Sequence, residues 1–454
     1  MCQNPLPLIR ADRGGQPVIR ILSACAVILL ACMWVNAQDV LELTIQDAVS
    51  TALTHNELLK AERYEVKEAE TFRTEALAAF FPRVDAGLIR LLNEKPMVVE
   101  FPSMLEDGSS SQVEMSFARD YTLSLQLNQP LFTGGQVYYN WRVAGENLAL
   151  STLAFAKQKQ ALIFEVKSAY YLCIVLAEIR RVVKEGIALS RKHFERVDAF
   201  YKAGNATYQE WLRAKVQLAN LEPDLHQADN DYKNAIKGLQ LLLGVDKEIQ
   251  LTTRLDLDPA CAIEERAYRQ NIAANYDVRR LEQAIAIADL QKKLAWGDYL
   301  PKLSLTVDYG LGADTFSFHS GVWDENYSIS LNIQLTLFDG FARRARRKRA
   351  EYNRKGLEHQ ALFLQKQIAN ELDRVLGEVE TARKKAEAYK GNLADAAESV
   401  RVSKLYYDEG LLTSFEVNAA NLDYTEAKVR YLNAIHDYYI AVFTLEMLIP
   451  EIAK

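Results

Sequence analysis

Slid against itself, the chain repeats. At an offset of 206 residues YTLSLQLNQPLFTGG (121–135) lies over YSISLNIQLTLFDGF (327–341), matching Tyr121, Ser124, Leu125, Leu131, Phe132 and Gly134 with Tyr327, Ser330, Leu331, Leu337, Phe338 and Gly340. The same offset places Tyr201, Gly204, Thr207 and Glu210 over Tyr407, Gly410, Thr413 and Glu416 with no insertion between. Further upstream AAFFPRVDAGL (78–88) matches GDYLPKLSLTV (297–307), with Pro82 over Pro301, so the first copy carries about a dozen extra residues. These fall in FPSMLEDGSSSQ, whose polar, turn-forming composition predicts a loop. The chain therefore reads as a tandem duplication, roughly 38–255 and 256–454, and any fold it adopts must be built twice.

Each copy runs helical segment, two strands, very long helix, turn, helix. The strands are expected at about 82–95 and 117–133 in the first copy and about 301–312 and 326–339 in the second. In the last of these Tyr327, Ile329, Leu331, Ile333, Leu335 and Leu337 alternate with Ser328, Ser330, Asn332, Gln334 and Thr336. Such alternation suits a strand with lipid on one side and water on the other, or a soluble antiparallel sheet covering a core. No proline lies between Pro130 and Pro223 or between Pro301 and Pro450. These spans admit helices of some 65 residues, about 100 Å at ~1.5 Å per residue. Apolar residues step by four and three along them: Leu162, Val166, Ala169, Cys173 and Leu176, then Ile368, Leu372, Val375, Val379 and Ala382. The pattern predicts a coiled-coil-like seam, with Cys173 as a core filler.

Residues 1–37 read as an export signal: Arg10, Arg13 and Arg20 precede the apolar run 21–35, and cleavage is expected after Ala37. Leu29-Leu30-Ala31-Cys32 offers the alternative of lipidation at Cys32. The apolar run is short of the roughly 20 residues that span a bilayer as a helix. Cleavage removes three of the five cysteines, leaving Cys173 and Cys261, so a disulfide-stapled scaffold is excluded. The whole chain carries a net charge of −6, which gives no support to nucleic-acid binding. No catalytic, cofactor or metal site emerges: the six histidines are scattered, and no HExxH, CxxC or phosphate-binding loop is present.

Four strands in one chain cannot close a membrane barrel, which needs at least eight. Several chains must pool their strands, and the product is a conduit. With its Pro-strand starts (Pro82, Pro301), LF-x-G junctions (Leu131–Gly134, Leu337–Gly340) and paired turns YKAGNATYQEW and YYDEGLLTSFEV, essentially the whole mature chain resembles the TolC family of outer-membrane channels. The resemblance implies a mainly α fold with a membrane β-barrel portion: a homotrimer, a twelve-stranded barrel built four strands per chain, and a long periplasmic helical tunnel. It implies as partners a periplasmic adaptor protein, an inner-membrane transporter and outer-membrane lipid, in tripartite efflux or type I secretion. The competing reading is a periplasmic or secreted coiled-coil scaffold with a soluble sheet.

The resemblance also places candidate residues. The turns 203–208 and 409–414 become the periplasmic tip, where the tunnel closes and the adaptor engages, with Gly204, Thr207, Glu210, Tyr407, Gly410, Thr413 and Glu416 as its residues. Glycine suits the reversal and threonine can cap the returning helix. Glu210 and Glu416 would form carboxylate rings at the narrow end, or serve as first-turn acids favouring the helix dipole. A second family acid, three residues beyond Glu416, is here Ala419. Phe132, Gly134, Phe338 and Gly340 mark the strand-to-helix joints. The six cations Arg343, Arg344, Arg346, Arg347, Lys348 and Arg349 directly follow the last strand, which predicts a place at the membrane's inner rim, facing anionic lipid or lining the tunnel mouth. A solvated helix start, with the cations balanced by acids such as Glu351, is the alternative.

Overall fold

The computed structural model describes residues 41–92, 97–102, 110–115, 119–253, 265–317, 319 and 321–450. The expected signal 1–37, with Cys32, and Cys261 lie outside them. In chain order the elements are β1 (Leu41–Leu43), α1 (Ile45–His55), α2 (Glu57–Ala78), β2 (Arg83–Arg90), β3 (Met97–Pro102), β4 (Ser110–Met115), β5 (Tyr121–Phe132), α3 (Gln136–Lys202), α4 (Tyr208–Leu243), β6 (Ile249–Leu251), α5 (Glu265–Gln270), a 3₁₀ turn (Ile272–Ala274), α6 (Tyr276–Gly297), β7 (Lys302–Ala313), β8 (Asp324–Gln334), α7 (Ala342–Asp408) and α8 (Ser414–Leu448). The long helices α3 and α7 are each 67 residues, and both ends of one map onto the other at the offset seen in the sequence. α4 continues through Pro223, at which its loss of one backbone donor is tolerated on an exposed face.

The chain divides into two compact units. The first comprises residues up to Asn56 with Glu165–Leu257 and Ala386–Asp437. Here β1 and β6 form a two-stranded parallel sheet, a feature too short for the alternation argument to reveal. Tyr170 anchors it: the ring is fully buried, and its hydroxyl donates to the Leu43 carbonyl at 2.8 Å while lying 2.8 Å from Thr253 Oγ1. Val166 and Cys173 are buried on the same helix, as the seam requires, and burial pushes the Cys173 thiol up to about 12, making it an inert packing group.

The second unit holds Glu57–Phe164, Asp258–Lys385 and the chain from Tyr438. Its core packs Leu372, Val375 and Leu376 of α7 against Leu445 and Ile449 and against Tyr268 of α5. A buried leucine such as Leu372 contributes about 1.5–3 kcal/mol. The same unit contains an antiparallel sheet in the order β2-β5-β7-β8. Register aligns one face as Leu88, Leu123 and Leu311 and as Leu125, Tyr309 and Tyr327, and the other as Gln126, Asp308 and Ser328. On the polar face Gln126 Nε2 donates to Asp308 at 2.8 Å and Ser328 to the same carboxylate at 3.3 Å. The apolar face is open: Leu88, Leu125, Ile329, Leu331 and Ile333 all stand exposed. No described helix is long and apolar enough to cross a membrane.

Two expectations are corrected. The insertion in the first copy is not simply a loop, because its described ends lie in β3 and β4, which pair antiparallel along six residues each. The last strand was expected to reach residue 339, yet its ladder ends at Gln334 although the alternation continues to Leu337. β7 begins at Lys302, the partner of Gln334, and offers residues 335–338 no further backbone to pair with.

Candidate functional site: the joints and the tip turns

Both strand-to-helix joints turn on two successive left-handed residues, Gly134 and Gly135 (φ 63° and 82°) in the first copy and Gly340 and Phe341 (φ 66° and 67°) in the second. Only glycine adopts this without steric cost, so Phe341 carries strain. The exchange is compensated by its surroundings. A Cβ on Gly135 would meet the Tyr139 ring at 3.1 Å, whereas the position equivalent to Tyr139 is Ala345. The Phe341 ring instead stands edge-on to Phe338, 5.5 Å between centroids.

The residue before each glycine caps the coming helix. Thr133 Oγ1 accepts from the Val137 N–H at 3.2 Å, and Asp339 Oδ2 accepts from the equivalent Arg343 N–H at 2.9 Å. Sequence reasoning missed this, although a Thr or Asp in LF-x-G was its available signal.

Asp298, at the end of α6, ties both joints. Its carboxylate accepts from Gln136 Nε2 at 2.7 Å and from Arg346 Nε at 3.0 Å. Arg343 lies 3.4 Å from Asp339, donates to the Leu337 carbonyl at 3.2 Å and stacks on Tyr299, 5.1 Å from its centroid. Two of the six cations in the basic run are therefore spent on the joint itself. Arg344, Arg347, Lys348 and Arg349 remain exposed. Arg347, after Lys355 and Lys292, helps hold the Glu351 carboxyl below its ordinary range.

The two tip turns are near duplicates. Gly204 and Gly410 are left-handed at φ 76° and 73°, and the residue after each donates back to Phe200 and Tyr406 at 2.8 Å, closing the helix end. Thr207 and Thr413 then cap the returning helices in complete capping boxes. Glu210 Oε2 accepts from the Thr207 N–H at 2.8 Å and its hydroxyl at 3.0 Å; Glu416 Oε2 accepts from Thr413 at 2.7 and 2.9 Å. The backbone donor first, and the hydroxyl second, hold both carboxyls below the usual range. Structure thus gives each acid a capping role.

Around this shared frame the turns differ. The first is closed by aromatic packing: Trp211 lies 5.8 Å from both Tyr201 and Tyr208 and donates to Asp198 at 2.8 Å. The second exposes Leu411 and Phe415. Arg196 of α3 reaches Tyr407 of α7, a contact that sequence spacing could not reveal because the two lie over two hundred positions apart.

A family model described as outer membrane efflux protein matches residues 48–245 and 267–449. The chain belongs to that family. It is an efflux or secretion channel of the outer membrane, with a periplasmic helical tunnel, in the TolC mould that the sequence resemblance named. Protein CyaE of Bordetella pertussis is 24% identical over 404 residues, covering 86% of this chain and 80% of that one. Outer membrane protein TolC of Salmonella enteritidis is 20% identical over 337 residues, covering 71% and 67%. The Campylobacter jejuni CmeC outer membrane channel superposes with a TM-score of 0.71 at 15% identity, covering 89% of this chain and 85% of that one. Of these, CmeC is described as an outer membrane channel. The uncovered apolar face of the β2-β5-β7-β8 sheet is what an outer-membrane barrel strand presents to lipid, and the scaffold reading falls away.

Proposed function

We propose that three copies pool their sheets into a closed barrel and that the trimer is a passive duct, fed by an inner-membrane transporter through a periplasmic adaptor. The open sheet carries this reading. Four strands with bare edges at β2 and β8 cannot stand in lipid, where each unpaired backbone group costs several kcal/mol, and three sheets make twelve strands with no edge. The duplication, 38–255 and 256–454, gives the trimer six similar sectors. We assign it no catalytic activity.

In this reading Gly204, Thr207, Glu210, Tyr407, Gly410, Thr413 and Glu416 form the closing tip and the adaptor contact, with Arg196 holding Tyr407. Phe132, Gly134, Phe338 and Gly340 are the joints at the barrel's periplasmic rim. Arg344, Arg347, Lys348 and Arg349 face anionic lipid or the tunnel mouth there, and Arg343 and Arg346 lock the joint. Envelope fractionation and gel electrophoresis without boiling test the assembly. Outer-membrane trimers resistant to detergent, with loss of an export phenotype on gene deletion, are the expected result; a water-soluble monomer would refute it.

A further inference from the structure

The internal repeat specifies how one copy meets the next, because an interface already present within the chain has an unfilled counterpart at its edges. β5 maps onto β8 at the offset of 206, and β7 maps onto β2 by laying Pro301 over Pro82. The β5·β7 ladder is seen, from Tyr121↔Ala313 through Pro130↔Ser304, with an irregularity at Leu131 before Phe132↔Leu303. Its repeat-related counterpart is β8 against β2, which within one chain are the two outer strands of the sheet.

We propose that β8 of one copy pairs antiparallel with β2 of the neighbouring copy in the register β5 makes with β7, so that Asn332 opposes Ile89, Gln334 opposes Gly87 and Thr336 opposes Asp85, with Phe338 meeting Val84 beyond a bulge at Leu337. This rests on the trimer proposed above and deepens it to single residues.

Three observations support the register. First, it keeps faces together without having been chosen to: Ile333 falls opposite Leu88 and Leu335 opposite Ala86, both on the open apolar side. Second, it explains the early end of β8. In the first copy the β2·β5 ladder ends at Arg83↔Asn128, so Gln129, Pro130 and Phe132 pair with β7 alone. Their equivalents, residues 335–338, can pair only with β2 of another copy. Third, it fills an empty place at the joint. Gly134 packs so tightly that a Cβ there would lie 2.4 Å from the Gly297 carbonyl oxygen and 3.2 Å from Leu300 Cβ, while Gly340 has nothing within 4 Å. The repeat puts Ala78 and Phe81 of the neighbouring copy in those positions. Leu337, Phe338 and Phe81, exposed by 86%, 73% and 62%, then gain cover.

Cysteine cross-linking of the full chain, carrying Cys173→Val and Cys261→Ser, tests this. Within one sheet β2 and β8 are three strand spacings apart, about 14 Å, well beyond disulfide reach. A bond between them must join two copies. Asp85→Cys with Thr336→Cys, and Ile89→Cys with Asn332→Cys, should each yield covalent trimers as the main species under mild oxidation. Gly87→Cys paired with either Thr336→Cys or Asn332→Cys, two residues out of register, should yield little. Trimers that form without boiling but cross-link best in an out-of-register pair, or in none, overturn the register alone. If the parent chain forms no such trimers, the proposed assembly fails as well.

Discussion

Arg196 donates a hydrogen bond to the hydroxyl of Tyr407 at 3.1 Å, and its guanidinium carbon lies 5.5 Å from the centre of the same ring. Hydrogen bond and cation-π contact act on one side chain, joining the end of α3 to the end of α7. Removing the hydroxyl leaves the second contact, and removing the arginine leaves neither. Tyr407→Phe should therefore loosen the tip by about 0.5–1.5 kcal/mol, and Arg196→Ala by more. Single-channel recordings should show mean conductance rising in the order wild type, Tyr407→Phe, Arg196→Ala. Equal conductance in all three would detach this pair from closure.

The capping boxes allow charge to be separated from helix capping. Glutamine accepts the same hydrogen bonds as glutamate, so Glu416→Gln and Glu210→Gln should leave the turns folded, whereas Thr413→Ala and Thr207→Ala should each cost about 1 kcal/mol. If the carboxylates ring the conducting path, the Gln variants will lose cation selectivity in reversal-potential measurements under a salt gradient. Unchanged selectivity would leave the acids with capping alone.

The same contacts set a pH dependence. Both carboxyls are depressed in the folded state, so they bind fewer protons folded than unfolded, and their contribution is full above the unfolded value near 4.3. It declines as pH falls below that and is gone once pH passes the lowered folded value. Protection factors at the two turns, that is exchange rates divided into the intrinsic pH-dependent amide rate, should fall in that acid window and stay flat from pH 6 to 8. Loss of protection on raising the pH would contradict the assignment.

The joints differ in what they tolerate. Gly134→Ala combines a left-handed backbone with a Cβ 2.4 Å from a carbonyl that cannot move aside, and should cost on the order of 3 kcal/mol. Gly135→Phe should be similarly damaging by itself but partly rescued by Tyr139→Ala, since that pair recreates Phe341 and Ala345. Thermal denaturation in detergent, read as a double-mutant cycle, should give a favourable coupling of about 1 kcal/mol or more; strict additivity would mean that the two joints are not built alike.

Much of this architecture was legible because the repeat and the two periodicities are long signals. Proline-free spans and the four-three spacing located α3 and α7, and alternation located β5, β7 and β8. Shorter features were not legible. Three residues at Leu41–Leu43 and at Ile249–Leu251 are too few for a period, and the β3·β4 hairpin is hidden under turn-forming composition. Asp298 looked like any other acid, and its role appears only where folding brings Gln136 and Arg346 to it. The basic run reads as one surface feature, yet Arg343 is turned into the joint and Arg346, though exposed, is paired with Asp298. At residues 335–338 the sequence pattern outruns the strand, and we attribute the difference to a partner strand supplied by a second copy.

A duct of this kind must conduct ions across a bilayer. Purified full-length protein, reconstituted into a planar bilayer and recorded at single-channel resolution, tests it most directly. Discrete, stable conductance steps from detergent-resistant trimers, enlarged in Arg196→Ala, are the predicted result. Trimers inserted in the bilayer that pass no current, in wild type and in Arg196→Ala alike, would contradict it.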